Sequence, residues 1–472
     1  PLPMVDDGTG GDLVAGDAAF SVLLGPSFQT HRRLIRYRII ARDFLGDSVQ
    51  VPYADDPQPN FAYFCYGQMP DWTGSARPGV LPMVTYSNQV LETLPVCHMI
   101  TKQIDHLDAM HNPYRYGEAE QILPPGGSYG GSGYLWNGTI VYDGKVYDHV
   151  RYRARGGVWR YAMGKNMWKI DFNTGHWLET RDDYGKKRKI KADKLNLGAL
   201  IQQGNFQQRG EQGIFEGVGF KLHNLAGNAA PNTQFIHYRI VDKADEGGPD
   251  QYSTDFRGLY LAVEQLDGRF LDEHGLSDGN FYKMEGGTGT LNNQGATQPS
   301  DRSDLDTFQA TYQGPPPSEH WWRDNLDLDN FYTFRAIAMA IHDYDIHNNK
   351  NYFYYHNPDD DRWQVINWDL DLCWTTTYNG GGGNGPLNRH MLYAPNYDPF
   401  IIEYNNRVRE IVDLLFNSEQ VDMAIEEVCQ FVYTPGQPSF VDADRAMWDY
   451  NPLMVSPYIN NSKSGHDRYY EA

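Results

Sequence analysis

Apolar residues change their spacing once along this chain, and that change limits what the chain can fold into. From about residue 136 it runs in short segments of strand composition: GTIVYDG, YDHVRYRARGG, NMWKIDF, QFIHYRIV and RGLYLAVEQL. These segments are rich in β-branched and aromatic residues and are separated by turn residues. GFKLHNL, residues 219–225, is read as a further strand of this set. Beyond about residue 320 the pattern turns helical. DLDNFYTFRAIAMAIHDYD sets Phe331, Phe334, Ile337, Ala338 and Ile341 three and four residues apart, with acids near its start, as one buried helix face requires. NNRVREIVDLLFNSEQVDMAIEEVCQFVY predicts one or two more amphipathic helices. The expectation is an α+β chain, a β-rich lobe followed by a mostly helical one.

A chain of 472 residues is too long for one ordinary core, so two or three domains are expected. Residues 1–80 read as a β-rich module, part of a sandwich, with LIRYRIIARD and FAYFCYG as strands. Residues 81–134 form a connecting segment, a strand and a helix followed by the Gly/Ser-rich ILPPGGSYGGSGY. The β-rich lobe then spans 135–285 and the helical lobe 286–472.

The chemistry concentrates in HDYDIHNNKNYFYYHNPDDDRWQVINWDLD, residues 342–371. It sets acids and amides around two strand-like runs, directly after the first long helix. Phosphoryl transfer asks for this order. One carboxylate orients the attacking hydroxyl, and an amide and a second carboxylate hold the metal that bridges the nucleotide phosphates. Asn351 directly precedes YFYY, Asp345 lies six residues before it, and WQVIN delivers Asp369 and Asp371. Asp343 with Asn348 is a competing register that parts the amide from its strand. Asp and Asn are also the commonest turn residues, so chance supplies such pairs in an acidic chain. Cations for the phosphates are available at Lys165 or Lys169, with Arg153 and Arg155 before them. There is no GxxxxGK[ST] loop and no calcium loop of EF-hand spacing.

Four blocks in order resemble the CotH family, the spore-coat-type atypical protein kinases. They are VRYRARGGVWRYAMGKNMWKIDF; RGLYLAVEQLDGRFL; GNFYKMEGG; and NFYTFRAIAMAIHDYDIHNNKNYFYYHN followed by WQVINWDLDLCW. Together they run from about residue 135 to 420. The resemblance implies an atypical two-lobed protein-kinase-like fold, with a β-rich N-lobe and helical C-lobe after a β-rich N-terminal region. It also implies use of ATP with Mg2+ or Mn2+ to phosphorylate Ser or Thr of proteins. Carried over residue by residue, Asp345 is the catalytic-loop acid and Asn351, Asp369 and Asp371 are the metal-side residues. Lys165 and Arg155 face the phosphates. Glu264, in VEQ, reads either as a group at the nucleotide-facing connection between lobes or as a structural acid bonded to nearby backbone. The chain departs from the family at Asn166, at the GGVW after the arginine, and at Asn367, where a proline is usual.

Charge narrows the partners. The 40 basic residues against 61 acidic ones give a net charge of −21, which repels nucleic acid and anionic membrane. No membrane span is expected, for want of a long apolar run. A secreted or cell-surface location is expected, with Ser/Thr-bearing protein substrates and a place in a surface or extracellular assembly. The alternative is a catalytically inactive relative acting as a surface, matrix or adhesion protein. A weaker third reading is a glycan hydrolase using two of Asp343, Asp345, Asp369 and Asp371. The four cysteines, far apart in sequence, exclude a dense disulfide scaffold and leave room for one or two isolated bonds. The basic run GKKRKIKADK, residues 185–194, reads as a solvated hairpin face or as a contact for an acidic partner or phosphate.

Overall fold

The computed structural model describes residues 1–110, 135–156, 165–200, 213–287, 289–347, 350–374, 385–392 and 398–451. The Gly/Ser-rich connector, Asn348 and most of the glycine run 380–385 lie outside them. Three antiparallel pairs open the chain: β1 (Arg33–Tyr37) with β4 (Phe61–Cys65), β2 (Ile39–Arg42) with β3 (Ser48–Val51), and β5 (Trp72–Gly74) with β6 (Val84–Tyr86). A closed barrel follows. Its strands are β7 (Val96–Ile100), β8 (Trp136–Tyr142), β9 (Lys145–Ala154), β10 (Trp168–Asp171), β11 (Lys194–Gly198), β12 (Thr233–Val241) and β13 (Phe256–Val263). The order around it is β10-β11-β13-β12-β7-β8-β9, and only β12 and β7 run parallel. Strand β7, from the segment read as a connector, is therefore a stave of the barrel.

Alternation explains why the barrel has two cores. Tyr152, Trp168, Ile170, Leu195, Leu197, Ile236, Tyr238 and Tyr260 point inward and pack on one another. Their neighbours Phe235, Leu259, Leu261 and Val263 belong to a second, larger core shared with the helices. Strands β12 and β13 are thus buried on both faces, and a strand in that position needs a continuous apolar run. GLYLAV is such a run, and FIHYRIV is one interrupted by His237, which bonds Leu91 O, and Arg239, which pairs with Glu246.

Several helices and a second sheet build the larger core. Five of these helices are α1 (Ile214–Leu225), α2 (Leu328–Ala340), α3 (Asp398–Leu414), α4 (Ser418–Cys429) and α5 (Phe440–Trp448). The sheet has the order β15 (Thr290–Asn293), β14 (Asn280–Glu285), β16 (Lys350–His356), β17 (Trp363–Asn367). Its strands come from either side of residue 286. The chain is a mixed α/β protein with a β-rich N-terminal region. Helix α2 starts on Asp327, whose carboxylate caps the Asn330 amide. The predicted face of Phe331, Phe334, Ile337, Ala338 and Ile341 is buried.

Two expectations are corrected here. GFKLHNL is the second half of helix α1, not a strand. Ile214, Val218, Leu222 and Leu225 carry helical spacing that begins upstream of that segment. Gly219 lets the helix lie against Leu370, because a Cβ there would sit 2.9 Å from its Cδ1. The four cysteines are all free.

Two arginines, Arg32 buried and Arg36 exposed, fasten the N-terminal region to the barrel through buried acids. Arg32 Nε and Nη2 each donate to Asp255 at 3.0 Å, and the two side chains are 5% and 0% exposed. Arg36 grips Asp148 in the same forked way, at 2.6 and 2.8 Å. Removing one partner of a buried pair leaves the other charge stranded. Arg32→Ala is expected to lower unfolding free energy by about 3–5 kcal/mol in a denaturant titration. A loss below about 1 kcal/mol would place this pair with ordinary surface ion pairs.

Candidate functional site

Helix α2 ends in a way that delivers the acids. His342 adopts a left-handed backbone at φ 49°, the His342 amide donates to Met339 O, and the Asp343 amide donates to Ala338 O. This is a Schellman stop with histidine where glycine is usual. The chain then turns back on itself. Tyr344 N donates to Leu372 O at 2.9 Å, and Trp374 N donates to Ile341 O. These two bonds draw the 343–345 segment beside the turn that follows β17.

The second sheet supplies the other side. In its register Glu285 faces Lys350 and Tyr352 faces Asn367, so the ends of β14, β16 and β17 meet at one edge. Asn351 is 1% exposed, and its Nδ2 donates to Asp345 Oδ2 at 3.0 Å. Lys350 Nζ reaches the same oxygen at 2.6 Å. Asn351 and Asp369 both hold left-handed backbones, at φ 66° and 65°. Asn and Asp tolerate that region better than other side chains, and such strain gathers at functional sites.

The electrostatics tie these groups together. Burial pushes the Asp369 carboxyl up, Arg155 and Lys283 pull it back, and Asp345 and Glu285 push it further. Asp343 is buried and held well above the usual carboxyl range by that burial and by the charges of Asp345 and Asp369. Burial works against the Lys350 ammonium, yet Asp345, then Asp369 and Glu285, hold it above its ordinary value. Arg155 lies over the Trp368 ring at 5.5 Å and so reaches from the end of β9 to the residue before Asp369.

Sequence reasoning missed Glu216. It sits in the first turn of α1, where burial and then the Asp369 charge push its carboxyl up to about 7 against the pull of Arg155. A helical reading of residues 214–225 would have exposed it. Lys283, in the GNFYKMEGG block, also went unassigned as a site residue.

Of the other sequence candidates, Lys165 and Glu264 have partners outside this cluster, and Lys169 is linked to it through the charge of Arg155. Lys165 is 1% exposed, and its Nζ donates to Asp444 Oδ1 and Leu259 O, each at 2.8 Å. It joins helix α5 to the barrel, and among the described residues its hydrogen bonds go to Asp444 and Leu259, not to Asp345 or Asp369. Lys169 stands opposite Arg153 and Asn196 on the outer barrel face, where burial lowers its pKa and Arg155 is among the charges it feels. Glu264 accepts from the Asn232 amide at 2.9 Å and lies 3.0 Å from His274 Nε2. Asp371 lies in the turn Leu370–Leu372 and is among the charges that act on the buried Cys373 thiol.

An all-oxygen donor set suits a hard divalent cation, which needs few protein ligands when phosphates and water complete its shell. The Oδ1 of Asn351 is buried with no hydrogen-bond partner, and Asp369 lies in the same electrostatic cluster. These two residues fit a magnesium-type ion. The profile for CotH kinase protein matches residues 153–438, more than half of the chain. The chain belongs to the CotH kinase family. A crystal structure of the Helicobacter pylori proinflammatory kinase CtkA shares 11% identity over 64% of this chain and 90% of its own, with a TM-score of 0.28. That likeness is too distant to place any residue. No protein of curated description matches.

Glu216 sets a pH dependence. With its carboxyl raised from an ordinary 4.5 to about 7, the folded state holds an extra proton between those values. The stability it contributes is complete below about pH 4.5 and disappears as pH climbs through about 7. Glu216→Gln is expected to flatten the fall in melting temperature of the metal-free protein between pH 5 and 8, in calorimetry with EDTA present. Parallel curves for variant and parent would mean that Glu216 does not titrate there.

Proposed function

We propose that this chain is a protein kinase that transfers the γ-phosphate of ATP to Ser or Thr hydroxyls of surface or coat proteins. The fold reading that goes with it is a two-lobed one, the barrel as N-lobe and the sheet with its helices as C-lobe. One observation carries the proposal: Asp345, Asn351 and Asp369 meet at one edge of the second sheet, with Arg155 and Lys283 among the charges that act on Asp369. Asp345, steered by Asn351 Nδ2 and Lys350, orients the acceptor hydroxyl and takes its proton. Asn351 Oδ1 and Asp369 would hold Mg2+ or Mn2+, and the ion would supply charge neutralisation for the phosphates. Arg155 and Lys283 add positive potential toward the transferring group. Lys169, on the outer face of the barrel, is the proposed phosphate-side lysine.

The acceptor class and a secreted or cell-surface setting come from the family resemblance, and the net negative charge supports protein over nucleic-acid partners. The commitment of Lys165 to Asp444 favours a second reading, an inactive CotH-like surface or matrix protein with one cation fewer at its site. The two differ in turnover. With radiolabelled ATP and Mg2+, Asp345→Ala is expected to slow phosphate incorporation by about 10²–10⁴-fold, and Asp369→Ala to abolish it. Equal labelling by parent and both variants would end the kinase assignment, and a parent that never labels would leave the structural one.

Lys165 gives a separate test. Lys165→Met is expected to lower the melting temperature, because Asp444 is left buried and unpaired, while the KM for ATP stays at the parent value. A raised KM with an unchanged melting temperature would put this lysine on the phosphates instead.

A further inference from the structure

The basic run 185–194 does not reach the carboxylate cluster. It belongs to an irregular hairpin, bridged at Leu178 with Ala192 and at Arg181 with Lys187, that folds across one end of the barrel. Beneath it lies a pocket between the hairpin and the barrel mouth. Its walls mix inward-facing barrel residues with the underside of the hairpin: Tyr142, Leu195, Ile236 and Ala262 from below, Leu178 and Ile190 from above. The polar groups deep in it are already satisfied. Tyr142 Oη donates to Gln234 Oε1 at 2.7 Å, and Gln234 Nε2 donates to Asp182 O at 2.9 Å.

The rim carries five cations, Arg181, Arg188, Lys191, Lys194 and Arg269, against three acids, Asp193, Glu264 and Asp267, and its cations are not equivalent. Arg181 is held by Asp143, Lys191 by Glu179, and Lys194 by Asp193 and Asp267. Arg269 stacks on Trp177 at 3.9 Å. Arg188 differs from these. Among the described residues its guanidinium has one hydrogen bond, to Thr233 O at 3.3 Å, and no carboxylate within ion-pair distance. It feels the buried Asp183 only through space. An apolar hollow with one uncommitted, half-buried guanidinium at its lip matches a molecule with an apolar body and a single anionic head. The planar fork of arginine suits a carboxylate best.

The geometry points to a binding site in this barrel mouth for a small amphipathic carboxylate, its head on Arg188 and its body among Tyr142, Leu195, Ile236 and Ala262. The site stands apart from Asp345, Asn351 and Asp369 and does not depend on the kinase reading. Octanoate is the probe, with 1-octanol as its uncharged counterpart, in calorimetric titrations of the full chain. Octanoate is expected to bind more tightly than octanol. Arg188→Gln is expected to weaken octanoate about tenfold and leave octanol unchanged. Ala262→Leu, which fills the hollow, is expected to weaken both, and Arg188→Gln carries the test alone if that variant does not fold. Saturating ATP with Mg2+ is expected to leave octanoate affinity unchanged. The proposal is overturned if octanoate does not bind, if Arg188→Gln keeps the preference for the acid, or if ATP displaces octanoate, which would make the mouth part of the nucleotide site.

Discussion

The β12–β13 pair is buried on both faces, and the rest of the molecule is arranged around that constraint. One face closes the barrel with Ile236, Tyr238 and Tyr260, and the other offers Phe235, Leu259, Leu261 and Val263 to the helices. A sheet with two dry faces can present almost no polar side chain between its layers, so charges that must lie there have to be paired. Lys165 and Asp444 are such a pair. Asp444 also accepts the Leu259 amide at 2.8 Å, and Gly258 is needed beside it. A Cβ at Gly258 would fall 2.1 Å from Asp444 Oδ1, and its φ of 85° already suits glycine. The barrel and helix α5 are thereby locked in one relative position, which fixes where β13 ends and where the following segment begins.

The carboxylate cluster has the opposite character. Asp343, Asp369 and Glu216 are all raised, chiefly by burial and then by neighbouring acids: Asp345 and Asp369 act on Asp343, Asp345 and Glu285 on Asp369, and Asp369 on Glu216. Groups so placed hold protons that a dication would replace, so ion binding and proton release are coupled at this site. The same charges that lower the stability of the ion-free fold at neutral pH are the ones that create affinity for the ion. A site optimised for stability alone would pair each acid with its own base, as Arg32 does for Asp255.

Legibility in the sequence followed the range of the interactions. Asp345 and Asn351 lie six residues apart and touch, so their order around a strand could be read directly. Helix α2 declared itself because its spacing is strict and its cap is local. The barrel could not be inferred, because its closure depends on β7 pairing in parallel with a strand well over a hundred residues downstream. Lys165 was legible as a lysine beside a strand but not as the partner of Asp444, 279 residues away. Glu216 was hidden by a wrong period: with residues 219–225 read as extended, an acid just before them had no defined direction.

Arg155 shows why the site needs both parts of the fold. It follows the last residue of β9, so the barrel sets its position, yet its guanidinium rests on Trp368, which the second sheet sets. Trp368 is itself fixed by Asn367, the residue standing where the family usually has proline, through a contact with His223 of α1. Helix α1 carries Glu216 one end and His223 the other, and both ends touch the Asn367–Asp369 turn or its charge. A shift of the barrel against the sheet would therefore move Arg155, and a shift of α1 would move both Glu216 and the turn. Either motion changes the potential at Asp369, so the relative placement of barrel, α1 and sheet decides how strongly that carboxylate can hold a cation.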